Sequence, residues 1–398
     1  MTNAVCICKI LVDMFYKRDI LPALEKELVK KEITVITGMR QVGKTTLLRH
    51  LYDQVDSANK VMLDIGNPLQ RNIFEEKNFD AIWNNLKEFG VIKDKKAYLF
   101  LDEIQNLPSI SQAIKYLYDH YNIKFVLTGS SSYYLKNLFP ESLAGRKIVF
   151  EIFPLTFREF LRFNGIEKRT GEKNRTRYEL YKPYYLEYLE YGGFPSVVLE
   201  KDVQRKKLLL QEVFTSYFEI DAKNLSNFGD MAKLRSLILL LAGRVGSKIE
   251  VAKLSSELSS SRETIYNYIS FLEKSYFITL VPKFSKSIDR QAAGSKKLYF
   301  CDGGMTNMLG RVSEGQLLEQ SVFQDLRAEH NLNYYSNQSG SEIDFILDGR
   351  IGLEVKQSAS RRDISNLEKK AEKLNLKEKY IVSLGYSNEK KVILATDL

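Results

Sequence analysis

Apolar positions along the chain change period from one stretch to the next, and the changes mark the elements. Ile20, Leu21, Leu24 and Leu28 follow helical spacing, so Tyr16–Lys31 is expected as an amphipathic helix. The run Ile33-Thr34-Val35-Ile36-Thr37 is short, β-branched and apolar, which predicts a buried strand. It breaks at Gly38, and a helix-forming run, Thr46–Tyr52, follows. Further strands are expected at Lys60–Ile65, Ala97–Leu101 and Lys124–Leu127, with helices at Phe79–Phe89 and Ile110–Tyr121. Strands alternating with helices imply a parallel α/β sheet with its ligand at the carboxyl ends of the strands.

Three of those strand ends carry chemistry. Gly38 to Thr45 fits G-x-x-x-x-G-K-[ST] at every fixed position, between a strand and a helix, which is the context a phosphate loop needs. Gly38, Met39, Arg40, Gln41, Val42, Gly43 and Thr46 frame a backbone cradle for phosphate oxygens, aided by the positive end of the helix dipole. Lys44 is expected to reach the β- and γ-phosphates and Thr45 to ligate Mg²⁺, so ATP and Mg²⁺ are the expected ligands. The second strand end delivers Asp102 and Glu103. Asp102 suits the metal beside the phosphates, and Glu103 suits polarisation of an attacking water. Small-molecule kinases with a phosphate loop compete with this reading, but they usually lack the second carboxylate. Thr128 or Ser130, at the third strand end, is a candidate sensor of the γ-phosphate; capping the next helix is the alternative.

Beyond Gly165–Arg177, a charged stretch read as a linker, helices are expected at Tyr181–Tyr191 and Gln204–Ile220. Leu234–Ala242, Val251–Leu258 and Arg262–Glu273 then read as three helices of a winged helix-turn-helix, with a hairpin starting at Phe277–Lys283. Lys286, Arg290, Lys296 and Lys297 would form a basic wing, and Arg262 and Asn267 would face duplex DNA. A winged helix that only packs is the competing reading.

The last hundred or so residues predict a helix at Gln316–His330, then strands at Glu342–Phe345 and Gly352–Lys356 around an Asp348-Gly349 turn. A helix at Ser360–Leu374 and a strand at Lys379–Ser383 follow. This order resembles the restriction-endonuclease-like fold. Asp344 with Glu354-x-Lys356 resembles its D…(D/E)-x-K site, and Glu319 is the extra helix acid. Glu354 and Lys356, two apart on a strand, share a face. Carboxylates there would hold Mg²⁺ and Lys356 would activate water for phosphodiester attack. The alternative is an acid–lysine pair in an inactive nuclease fold that binds or packs.

The runs GMRQVGKTTLL, YLFLDEIQNLP, FVLTGSSS, ESLAGRK and FPLTFREFL resemble the AAA+-type ATPases of archaea and bacteria with the AAA_14 plus DUF4143 arrangement. The Gly192-Gly193-Phe194-Pro195 turn and the Tyr299–Gly304 stretch resemble two further signatures of that family. The resemblance implies an ATPase domain over 1–160; with the patterns above, a helical linker over 161–228, a winged helix over 229–296 and a restriction-endonuclease-like domain over 297–398 are expected. It also implies that Arg146 is a finger or sensor for charge on the γ-phosphate, with a homo-oligomer if the arginine serves a neighbour.

Composition changes this picture little. At 398 residues, two or three domains are expected, and 44% hydrophobic with 27% charged residues describes an ordinary globular chain. The net charge of +9 is compatible with DNA. Three cysteines show no paired framework, and with only three histidines no zinc site is expected. No run of ~20 apolar residues occurs, and Met1–Met14 lacks a signal-peptide pattern, so a cytoplasmic protein with no membrane contact is expected. A nucleotide-dependent switch or scaffold with protein partners is the rival to a DNA-acting ATPase.

Overall fold

The computed structural model describes residues 15–92, 95–129, 143–169, 171–222, 230–285, 287, 294–337 and 340–398. Two compact units emerge: one from the described residues up to Gly38 with Gly43–Ile152, the other from Met39–Val42 with Phe153–Leu398. Among the described residues no helix is long and apolar enough to cross a membrane.

In the first unit, α1 (Leu21–Glu27) is shorter than its periodicity suggested, with Pro22 at its start. The order then runs β1 (Ile33–Gly38), α2 (Lys44–Gln54), β2 (Lys60–Asp64), α3 (Phe79–Lys87), β3 (Ala97–Asp102), α4 (Ile110–His120), β4 (Ile123–Gly129) and β5 (Lys147–Ile152). The strands form one sheet in the order β2-β3-β4-β1-β5, and every pairing is parallel. β1 and β4 are buried along their whole length, which is why their sequences are apolar rather than alternating. β5 is the strand the apolar pattern did not predict. It lies at the sheet edge, half-exposed, and Lys147 and Glu151 interrupt its apolar run. Because β4 is inserted between β1 and β3, three strand ends stand side by side at the carboxyl edge.

The second unit opens with α5 (Phe157–Phe163) and α6 (Arg175–Tyr191). α6 begins three residues inside the expected linker and carries Pro183 in its interior. Tyr178, Tyr181, Tyr185 and Tyr188 form its buried stripe at three- and four-residue spacing. α7 (Pro195–Leu199) and α8 (Val203–Ser216) follow. α9 (Met231–Ala242), α10 (Val251–Glu257) and α11 (Arg262–Lys274) precede β6 (Ile278–Val281). β6 pairs antiparallel with β7 (Lys297–Phe300), forming the hairpin.

α12 (Gly303–Leu309) and α13 (Glu314–Leu326) lead to β8 (Leu332–Ser336), β9 (Glu342–Leu347), β10 (Ile351–Lys356), α14 (Arg361–Leu374), β11 (Glu378–Ser383) and β12 (Val392–Leu394). Their sheet has the order β12-β11-β10-β9-β8. β8, β9 and β10 form an antiparallel meander, while β10–β11 and β11–β12 are parallel. The expected helix, strands, helix and strand are present in that order; β8 and β12 are additional strands that no expected run covered. Ser313 and Ser360 begin α13 and α14 with reciprocal capping boxes, closed by Gln316 and Asp363. Leu367 and Ala371 of α14 bury against Ile343, Ile346, Ile381 and Val392 of the sheet.

Candidate nucleotide site and acidic cluster

The phosphate loop follows from where β1 ends. Gly38 has φ 150°, and a Cβ there would lie 2.2 Å from the Ile152 carbonyl oxygen, so only glycine lets β1 end against β5. Gln41 (φ 61°) and Gly43 (φ 96°) both take positive φ, turning the chain into α2. Gly43 is the N-cap of α2 and supplies no side-chain cap. The start of this eleven-residue helix turns its positive end and its first N–H groups toward the loop, the arrangement that suits a phosphate. Lys44 is buried, and its ammonium donates to the Gly38 carbonyl at 3.0 Å, curled back over the loop. Thr45 is half-buried one position on.

Asp102 and Thr128, at the ends of β3 and β4, sit side by side. The Thr128 hydroxyl donates to Asp102 Oδ1. The Glu103 N–H is shared between Asp102 Oδ1 at 3.1 Å and Thr128 Oγ1 at 3.2 Å. Glu103 itself has φ 53°, left-handed backbone in a non-glycine residue. Asn106 fixes its carbonyl at 2.9 Å, and the Gln105 amide donates to its carboxylate. This donor set fits Mg²⁺: hard oxygen donors on Thr45 and Asp102, beside a lysine and a helix N-terminus suited to phosphate. Thr128, expected as a γ-phosphate sensor, spends its hydroxyl on Asp102. Ser130 lies outside the described residues.

Arg146 stands elsewhere. It precedes β5, its carbonyl accepts the Ile33 N–H at 2.8 Å, and Ile33 begins β1. Arg146 is thus at the opposite edge of the sheet from the phosphate loop of its own chain, and a role as sensor of its own nucleotide is corrected by that placement. Its guanidinium pairs with Asp119 at 3.0 and 3.3 Å.

The expected nuclease residues divide into two groups. Pairing of β9 with β10 ends at Leu353–Phe345, and one step beyond it the Asp344 carboxylate accepts the Val355 N–H at 2.9 Å. Asp344 Oδ1 lies 3.6 Å from the ammonium of Lys297, which also meets Glu319 at 3.1 Å and Glu342. Glu354 instead takes Lys370 of α14 at 2.5 Å and stands 3.7 Å from Lys356. Glu354 and Lys356 do share a face, and Asp344 and Glu319 do approach each other, but each group is balanced by its own lysines. Burial, and then the Asp344 charge, push the Glu319 carboxyl well above its ordinary value, although Lys297 and Tyr299 pull it down.

Lys297, expected on a basic wing, is 2% exposed and corrects that expectation. Lys286 and Arg290 lie outside the described residues. Sequence reasoning missed Glu342, although its place two residues before Asp344 puts both on one strand face. It also missed Lys370, for which the helix pattern held no signal.

Comparison with known proteins follows this division. Residues 30–161 match AAA_14, an AAA domain; residues 182–316 match DUF8612 and residues 314–396 match DUF4143, both domains of unknown function. The chain joins an AAA_14 domain to a DUF4143 domain. An uncharacterized protein of Methanocaldococcus jannaschii is 29% identical over 382 residues, 92% of this chain and 85% of the relative. An uncharacterized protein of Haemophilus influenzae is 27% identical over 327 residues, 79% of each chain. Among solved structures, a Walker-type ATPase of Pyrococcus abyssi aligns with TM-score 0.48 and 15% identity, covering 74% of this chain and 96% of that one. The AAA_14 domain is an AAA-type P-loop ATPase domain, and its parallel sheet carries the phosphate loop and the Asp102–Glu103 pair. The DUF4143 match covers α13, where Glu319 lies, and all of β8–β12.

Proposed function

We propose that the chain hydrolyses ATP and acts on DNA through its C-terminal region. The observation that carries the ATPase half is the buried Lys44 curled over the glycine loop at the start of α2, at the same sheet edge as Asp102 and Glu103. Lys44, released from the Gly38 carbonyl, binds the β- and γ-phosphates. Thr45 and Asp102 would hold Mg²⁺, which when bound supplies charge neutralisation at the phosphates. Thr128 keeps Asp102 oriented. Glu103, freed from Gln105, accepts the proton of the attacking water.

The DNA half is supported by α9–α11 and the β6–β7 hairpin, an arrangement that suits a winged helix. Arg262, Tyr266 and Asn267 are exposed on one side of α11, and Tyr266 is 60% exposed. The restriction-endonuclease-like order of α13 to β12 supports a second nucleic-acid element. Arg146 is read as a finger for a neighbouring subunit, since its own nucleotide is out of reach.

A second reading, a nucleotide-dependent scaffold with an inactive nuclease fold and protein partners, is favoured by one observation: lysines already balance all three candidate carboxylates, Glu319, Asp344 and Glu354. One experiment separates the two. The full chain is incubated with duplex DNA, ATP and Mg²⁺ or Mn²⁺, and turnover, DNA retention and cleavage are read together. DNA that binds and alters ATP turnover supports the first reading. Turnover indifferent to DNA, with no DNA retained, overturns it in favour of the scaffold.

A further inference from the structure

The acidic cluster of the DUF4143 region has a lysine at its centre. Lys297 reaches it from β7, the strand that closes the hairpin with β6 and pairs Lys297 with Val281. Its main chain is therefore fixed by the sheet, and its side chain is 2% exposed. Glu319, from α13, and Glu342 and Asp344, from one face of β9, surround the ammonium. Burial alone would lower the affinity of this lysine for its proton, but Glu319, Asp344 and Glu342 together outweigh burial and hold it above its usual value. Tyr299, two residues along β7, donates its hydroxyl to Glu319 at 2.5 Å. The cluster is thus closed by donors from one strand.

The restriction-endonuclease-like order implies a divalent metal at these carboxylates. The residues do not fit one. Any ion bound by Asp344 and Glu319 would lie against a buried ammonium, and like charges in a water-poor site repel strongly. Glu354, the remaining acid, faces Lys370 and Lys356 rather than Asp344. Among the described residues no group of three or more His, Cys, Asp or Glu is placed to hold a metal ion.

We infer that Lys297 is the resident cation of this site: its ammonium occupies the position of the divalent ion and excludes it. The inference rests on reading α13 to β12 as a restriction-endonuclease-like domain. It makes β7 a bolt between the hairpin and the acidic cluster, because a metal can enter only when the Lys297 side chain leaves. It also gives the acid–acid–lysine set a role without metal chemistry: Asp344 is a counter-ion to Lys297, and Glu354 to Lys370.

The test is calorimetric titration of the full, nucleotide-free chain with Mn²⁺, counting only the uptake that Asp344→Asn removes. That subtraction separates this cluster from Asp102. Wild type is expected to show no such uptake at millimolar Mn²⁺. Lys297→Met is expected to gain one site, at least about tenfold tighter than any in wild type. Lys297→Gln, which keeps a hydrogen-bond donor, is the second variant should Lys297→Met not fold. Uptake by wild type as tight as by the variant overturns the inference and leaves the nuclease-like reading standing. Uptake by neither overturns both. Should neither variant fold, the wild-type titration decides: Asp344-dependent uptake contradicts the inference, and its absence agrees with it. ATP turnover measured on the same samples reports on the other unit separately.

Discussion

Glu103 shows what a single residue contributes and what its sequence hides. Asp-Glu at the end of an apolar strand was legible, because Ala97–Leu101 is apolar and the acids follow at once. The left-handed backbone of Glu103 was not, since it comes from contacts with residues on another strand. A non-glycine residue held at positive φ costs about 1–3 kcal/mol, and such strain persists where the surroundings fix it. Thr128 is the fixing group: it donates to Asp102 and accepts from the Glu103 N–H. Thr128→Val keeps the shape and removes both bonds, leaving the Glu103 N–H with Asp102 Oδ1 alone and the Asp102 carboxylate short of a donor. The expected loss is about 1–3 kcal/mol of stability, together with a raised Mg²⁺ requirement for turnover. Denaturant melts and a Mg²⁺ titration of ATPase rate check it; a variant equal to wild type in both would mean Thr128 does not position Asp102.

At the scale of elements, two motifs that the sequence offered only as likenesses turn out to be one joint. Gly192, at φ 74°, ends α6, and a Cβ there would fall 1.9 Å from the Asp302 carboxylate. Asp302 is buried, accepts the Gly193 N–H at 2.7 Å and caps α12 through the Met305 N–H at 3.0 Å. A Cβ on Gly304 would lie 2.2 Å from the Tyr191 carbonyl carbon. The turn and the Tyr299–Gly304 stretch are therefore each other's packing partners, over a hundred residues apart, which no periodicity could reveal. Gly304→Ala forces backbone apart and is expected to lose about 1–3 kcal/mol or more by urea denaturation. A loss below about 0.5 kcal/mol, the scale of an ordinary surface change, would contradict the joint.

Asp325, on α13, gives the same region a pH dependence. It accepts the Phe157 N–H at 2.7 Å and the Tyr188 hydroxyl at 3.2 Å, and burial pushes its carboxyl up from 3.8 to about 6. A raised carboxyl pKa means the folded chain binds the proton more tightly than the unfolded one. The associated stability is fully present below pH ~4 and is lost as pH rises through about 6. Its scale is about 1–3 kcal/mol. Asp325→Asn is expected to flatten the urea midpoint over that window while leaving ATP binding unchanged. An unaltered pH profile would show that Asp325 is not the titrating group.

For the whole molecule, the order of elements was largely legible and their partners were not. The ATPase sheet, with all strands but β5, and the helix–strand order after Glu314, with all strands but β8 and β12, followed from periodicity. The edge placement of β5 and the lysines that meet the acids depend on tertiary pairing. Arg146 belongs to this scale, because at the far end of β5 from its own phosphate loop it is proposed to serve a neighbour's nucleotide. Mixing Arg146→Ala with Lys44→Ala is expected to restore part of the turnover each lacks alone. Full activity of a chain that sediments as a monomer with ATP would contradict a shared site.

The claim on which the rest depends is that Lys44 and Glu103 divide binding from hydrolysis. It is tested most directly by measuring ATP affinity and turnover on the same preparations of wild type, Lys44→Ala and Glu103→Gln with Mg²⁺. Lys44→Ala is expected to lose binding and turnover together. Glu103→Gln is expected to bind ATP like wild type while its turnover falls about 10²–10⁴-fold. Glu103→Gln turning over ATP at the wild-type rate, or Lys44→Ala binding it undiminished, would contradict the account.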